Sequence, residues 1–193
     1  MDPRDAIRTR RTIPPAKMGP PGPDGAALER ILAAAAAAPD HGQLRPFRFL
    51  VVSGAARARL GDLFAACVRR SFPDASPEEI ERQRAAPARA PVIVVVVAHL
   101  QPDHPKIPEI EQIAATGAAA QNLLLAAHAL GFAAKWATGR QAHDAGVRAG
   151  LGLRPDDRIV GFVYLGSLAA PHEAPPRPGP DGLVSPWPPD LVG

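Results

Sequence analysis

The sequence predicts a three-layer α+β fold, and three observations predict it. Runs with strand character alternate with helical patterns along the whole chain of 193 residues instead of gathering in separate blocks, which points to helices stacked against both faces of a sheet. The run "PVIVVVVAHL", Pro91–Leu100, is continuous in its hydrophobicity and rich in β-branched residues. That is the mark of a strand covered on both faces. The stretch "AATGAAAQNLLLAAHAL" is apolar nearly all round, so its helix belongs in a core or between subunits. The length suits one domain with a sizeable core, residues 1–193.

The elements follow in order. A short helix covers about Arg4–Arg10 and gives way to a Pro-rich loop, Pro14–Pro23. A second helix, about Asp24–Ala38, has Asp24 placed as its N-cap and stops at Pro39. Phe47–Val52 is the first strand. Ala55–Arg70 is helical, with Leu60, Leu63, Phe64 and Cys67 at helical spacing. In "SPEE", Ser76 is an N-cap, Pro77 takes the first helical position and Glu79 closes a capping box. Pro91–His99 is the central strand. The longest helix runs from about Glu109 to Leu130, with Gly131 as its C-terminal cap. "AAKWATG" at Ala133–Gly139 is a short strand and turn, and "RIVGFVYLG" at Arg158–Gly166 is the last strand. Residues 170–193 form a tail too rich in proline to fold alone. Its apolar residues Leu183, Val184 and Trp187 need a surface to lie on.

Composition excludes several classes. The net charge of +3 is spread along the chain with a single Tyr, so no nucleic-acid surface is indicated. No apolar run is long enough to span a bilayer, and the N-terminus lacks the apolar core of a signal peptide. The lone Cys67 cannot form an internal disulfide, which fits a cytoplasmic protein. No pair among the six histidines has metal-ligand spacing; His128 reads as a core or interface residue on its helix. There is no G-x-S-x-G, no phosphate-binding Walker loop and no G-x-G-x-x-G after a strand.

Three polar clusters remain. Arg10, Arg11 and Thr12 close the first helix, where two guanidiniums and a hydroxyl can clamp a phosphate; equally, the arginines can answer the helix C-terminal dipole. The loop "PDHGQLRP" places Asp40, His41, Gly42, Gln43 and Arg45 between a helix and a strand, either as a solvated connection or as a ligand loop. "KWATG" offers backbone N–H groups in a turn beside an aromatic, or an ordinary core Trp with a surface Lys.

The order of these clusters resembles the nitroreductase family, in particular its compact bacterial members. "AIRTRRT" is similar to the family's opening Arg-Arg-Ser, and "ILAAAAAAPDHGQLRPFRFLVV" to its helix, Pro-containing loop and Gln-Pro-Trp strand entry. "APVIVVVVA", "KIPEIEQIAATGAAAQNLLLAAHALGFAAKWATG" and "DRIVGFVYLG" follow in family order. The resemblance implies a mixed, mainly antiparallel sheet flanked by helices in an intertwined homodimer. It implies non-covalent FMN at the dimer interface, with NAD(P)H as hydride donor and a nitroaromatic, quinone or similar small molecule as acceptor, in ping-pong order. By this match Arg10, Arg11 and Thr12 hold the phosphate, ribityl and pyrimidine side of FMN. Residues around Ala37, Pro39 and His41 reach the flavin from the other subunit, while Trp136, Ala137 and Thr138 line its ring. No protein side chain need be a catalytic acid or base, because the flavin carries the hydride.

The departures are specific. Pro14 stands where many relatives have a Lys, which leaves His41 or Lys135 to stabilise the reduced, anionic flavin. Arg45 and Phe47 replace the Gln and Trp of Gln-Pro-Trp. In the tail, "RPGPDGLVSPW" resembles a family ending that contributes an Arg to the phosphate, which makes Arg177 a candidate. The same FMN also suits another redox step, such as dehalogenation or heterocycle oxidation, or a flavin-binding module without turnover.

Overall fold

The computed structural model describes residues 1–185 and Trp187. In chain order its elements are α1 (Pro3–Thr9), β1 (Met18–Gly19), α2 (Gly25–Ala36), β2 (Phe47–Ser53), α3 (Ala56–Ser71), α4 (Pro77–Arg84), β3 (Val92–Ala98), α5 (Glu109–Ala129), β4 (Ala133–Ala137), α6 (Ala145–Gly150) and β5 (Arg158–Leu168). The helix starts follow the capping residues. Asp24 accepts the Ala27 N–H at 2.8 Å, Ser76 accepts the Glu79 N–H at 3.2 Å, and Asp144 accepts the Val147 N–H at 2.7 Å. After α5 the chain turns at Gly131, whose φ of 84° a side chain would strain.

β3 explains the three layers. Its alternate side chains Ile93, Val95 and Val97 enter one core with Leu60, Phe64 and Cys67 of α3 and Val147 of α6. Val92, Val94 and Val96 enter a second core with Ile31 and Ala35 of α2 and Leu123, Leu124 and Ala127 of α5. Period-two alternation thus still operates inside an unbroken apolar run, because both faces are covered. Each fully buried Val contributes roughly 1.5–3 kcal/mol.

The sheet runs β1-β5-β3-β2, with β4 on the opposite edge of β5 from β3. Every pairing among the described residues is antiparallel. The two-residue β1 lies inside the Pro-rich loop that the sequence marked as irregular. Its pairing of Met18 with Leu168 is too brief to leave a hydrophobic period.

One irregularity shapes the site below. Val96 faces Gly161 and Val97 faces Ile159, so Val160 bulges out of register. Its carbonyl accepts the Trp136 indole N–H at 3.0 Å. A Cβ on Gly161 would stand 2.0 Å from that indole nitrogen, so the glycine makes room for the ring.

A second glycine gives a stability prediction. A Cβ on Gly61 of α3 would stand 2.2 Å from the backbone carbonyl oxygen of Arg84 at the end of α4. Backbone cannot swing away as a side chain can, so Gly61→Ala should force α3 and α4 apart. The expected loss is about 1–3 kcal/mol, read as a lower melting temperature. An unchanged melt would show that the two helices are not in contact there.

Candidate functional site

α1 ends in a way that frees its last residues for binding. Thr9 donates its hydroxyl to the Asp5 carbonyl at 2.6 Å, and the Arg10 N–H still reaches the Ala6 carbonyl at 3.0 Å. Arg10 itself is extended, with ψ of 130°. The segment then runs alongside the sheet, and the Ile13 N–H donates to the Ala134 carbonyl at 3.0 Å. The first and third polar clusters of the sequence are therefore neighbours, joined at the start of β4.

The two arginines do different work. Arg11 donates through Nη1 to the carbonyls of Arg8 at 2.8 Å and Arg10 at 3.1 Å. It caps the orphan carbonyls of α1, as the dipole reading expected. The Arg10 guanidinium has no hydrogen-bond or ion-pair partner among the described residues. Arg177 comes back along the tail and donates Nη2 to the Arg10 carbonyl at 2.9 Å. Burial, then the Arg177 charge, then the Arg11 charge press the Arg10 guanidinium below its ordinary pKa. Three cations gathered without a carboxylate form a site for an anion.

A cavity of about 400 Å³ opens beside them, lined by Thr9, Arg10, Arg11, His128, Ala134 and His172 among others. No Asp or Glu among the described residues lines it. His128, read from sequence as a core or interface residue, is half-buried in the last turn of α5 and faces this cavity. Its Nε2 lies 2.9 Å from the Thr9 hydroxyl. Thr12 is exposed between Arg11 and Ile13 and does not line the cavity.

β4 leads away from the cavity. Ala133 and Ala134 line it, and Thr138 follows four residues after Ala134, about 13 Å further along. Trp136 is held by its bond to Val160 and by packing in the α2–α5 core, so its indole N–H is committed. Lys135 points to the opposite face from Trp136 and has no hydrogen bond or ion pair among the described residues. The turn after Ala137 passes through exposed Thr138 and through Gly139 with φ of 58°.

The loop after α2 is elsewhere. Asp40 accepts the Arg45 N–H at 2.6 Å, and Gly42, Gln43 and Arg45 all adopt positive φ. Gln43 at 55° and Arg45 at 49° are strained, at a cost of about 1–3 kcal/mol each. His41 places Nδ1 2.7 Å from Glu111 at the N-terminal end of α5. His128 sits seventeen positions further along the same helix, about 26 Å away at 1.5 Å per residue. Within one chain, the loop carrying Pro39 and His41, with Ala37 exposed at its start, does not meet Arg10 and Arg11.

Comparison with known proteins shows the family of the chain. Residues 7–167 match the model of the nitroreductase family. The chain is 36% identical over 169 residues to the Escherichia coli (strain K12) protein named "Putative NAD(P)H nitroreductase YdjA", covering 86% of this chain and 88% of that protein. Among solved structures, a nitroreductase-like family protein from Bacillus cereus superposes with a TM-score of 0.81 at 22% identity, over 96% of this chain and 95% of that one. A Desulfovibrio desulfuricans protein described as a "putative nitroreductase in complex with fmn" gives 0.71 at 27% identity, over 97% and 99% of the two chains. With residues 7–167 matched by the family model and a relative 36% identical over most of both chains, the chain belongs to the nitroreductase family.

Proposed function

We propose that the protein is an FMN-dependent oxidoreductase that takes hydride from NAD(P)H and passes it to a nitroaromatic, quinone or similar acceptor in ping-pong order. One observation carries the reading: Arg10, Arg11 and Arg177 converge beside an acid-free cavity at the start of β4. The residues fit FMN. A phosphate monoester satisfies the unpartnered Arg10 guanidinium and relieves the repulsion among the three cations. The strand that leaves the phosphate end gives an extended ligand a straight edge to follow, ending at the Thr138–Gly139 turn. When bound there, the flavin supplies hydride chemistry at N5.

The chain's own residues bind, orient and seclude. Arg10, Arg11 and Arg177 fix the phosphate. Trp136, locked by Val160, holds the course of β4 and presents Ala137 and Thr138 at the ring. Lys135 remains the available cation for negative charge on the reduced ring, since His41 is engaged by Glu111.

The second half of the site comes from a second copy. α5 leaves Ile110 69% exposed, with Ala114 and Gln121 also open and Gly117 and Leu125 half-buried on the same face. A Cβ on Gly117 would meet nothing within 4 Å. Such a face, built of small and apolar residues apart from Gln121, suits close approach by a symmetry mate. The tail leaves Trp187 92% exposed, which is consistent with its crossing onto that mate; Pro186 and residues 188–193 lie outside the described residues. A homodimer of this kind brings Ala37, Pro39 and His41 of one subunit to the flavin of the other.

Two measurements test the reading. Purified protein should release FMN and not FAD on denaturation; FAD, or no flavin after reconstitution, overturns it. Under anaerobic conditions NADH or NADPH should bleach the bound flavin and an added quinone should restore its colour. Bound flavin that neither nucleotide bleaches would mark a binding module instead of an enzyme.

A further inference from the structure

The anion pocket contains two imidazoles that neither the family match nor the arginine cluster explains. His128 reaches it from the last turn of α5, and His172 from the tail. The Thr9 hydroxyl settles the state of His128. That hydroxyl gives its only proton to the Asp5 carbonyl at 2.6 Å, so at 2.9 Å it accepts from His128 Nε2–H. Nδ1 of His128 is then the free nitrogen, a lone pair when the ring is neutral and a donor when it is protonated. His172 adds an Nδ1 that is buried without a hydrogen-bond partner among the described residues.

We propose that His128 is a phosphate-binding residue of this site, taking up a proton as FMN binds so that Nδ1–H and Nε2–H bridge the phosphate to Thr9. The inference rests on the flavin reading above and assigns a residue and a pH dependence within it.

The charges around the ring set the direction. Arg10 and Arg11 face it from the exit of α1, Met1 and His172 line the same cavity, and Arg177 reaches the Arg10 carbonyl from the tail. Leu168 is the lining residue from β5, and the start of β4 is uncharged. Asp5, one turn before Thr9, is turned toward Arg8 at 3.3 Å. In the free protein, burial first and then Arg10 and Arg11 hold the His128 pKa below the ordinary imidazole value, so the ring is neutral at pH 7. A bound phosphate cancels the arginine charges and supplies an acceptor, which raises that pKa and draws a proton in. Affinity for FMN should therefore fall as pH rises.

FMN's own phosphate loses its second proton near pH 6, so the comparison must be between variants. We expect His128→Gln, whose amide can still donate to Thr9, to bind FMN about tenfold more weakly than wild type at pH 6. The ratio should shrink toward one by pH 8.5, because the neutral imidazole has lost the same donor. Dissociation constants come from quenching of flavin fluorescence. Calorimetry in buffers of different ionisation enthalpy should show proton uptake by wild type that is absent from the variant, and riboflavin should bind both proteins equally. A ratio that stays constant with pH, or equal proton uptake by both proteins, overturns the role of His128 while leaving FMN binding intact. Failure of wild type to bind FMN would overturn the flavin reading and this inference together.

Discussion

Replacing Arg10 and Arg11 together with Ala should weaken FMN binding by about 10²–10⁴. Each charge-assisted hydrogen bond to a phosphate is worth roughly 1.5–3 kcal/mol, and two of them span that range. The single variants should differ in kind. Arg10 has no partner among the described residues and is crowded by Arg177 and Arg11, so Arg10→Ala removes repulsion from the empty protein. Its apo melting temperature should hold or rise, while the stabilisation normally added by FMN disappears. Arg11 also caps α1 through the Arg8 and Arg10 carbonyls, so Arg11→Ala should lower the apo melting temperature as well as the affinity. Lys at position 10 keeps the charge but loses the bidentate fork, and should recover only part of the binding. Fluorescence titration and thermal melts with and without FMN separate these effects. Wild-type affinity in the double variant would place the phosphate elsewhere.

Much of the fold was legible because local chemistry and tertiary structure agree in it. The Asp24 and Ser76 caps, the Gly131 stop and the unbroken β3 run each state one physical demand that the structure meets. Other features depend on contacts distant in sequence. β1 exists only because Met18 meets Leu168, and no two-residue strand carries a period of its own. His128 looks like one polar residue on an apolar helix. It lines the cavity because α1 packs across the end of α5 and brings Thr9 to its ring. Positive φ at Gln43 and Arg45 was not readable, since neither residue type favours it and only Gly42 advertised a turn. Trp136 was legible as an aromatic beside the turn, but not as a ring pinned by the bulged Val160 carbonyl over Gly161. Of the two readings offered for the arginines, Arg11 answers the helix end through the Arg8 and Arg10 carbonyls, while Arg10 has no partner among the described residues, and its role toward a phosphate is the proposal above.

The distance between His41 and the arginine cluster leads to the second large effect. Glu111 holds His41 at one end of α5 and His128 marks the other, about 26 Å away. A flavin clamped by Arg10 and Arg11 is therefore out of reach of its own chain's strained loop. If two copies pack through the open face of α5, each loop serves its partner's flavin. Two damaged proteins should then repair each other. One carries Arg10→Ala and Arg11→Ala. The other carries His41→Glu, which sets a carboxylate against Glu111 and displaces the loop. Each should be nearly inactive at an FMN concentration that saturates only the wild type. After exchange at equal amounts, half of the dimers are mixed. In each mixed dimer one site combines intact arginines with an intact loop, and the other site holds both lesions. Activity should rise from near zero to roughly a quarter of wild type. If the loop served its own chain, every site in the mixture would keep one lesion and no activity would return. Light scattering that finds only monomers at working concentration would also refute the shared site. Binding sharpens the comparison further: each mixed dimer should hold one tightly bound FMN, because its only undamaged phosphate clamp is the one that faces the undamaged loop.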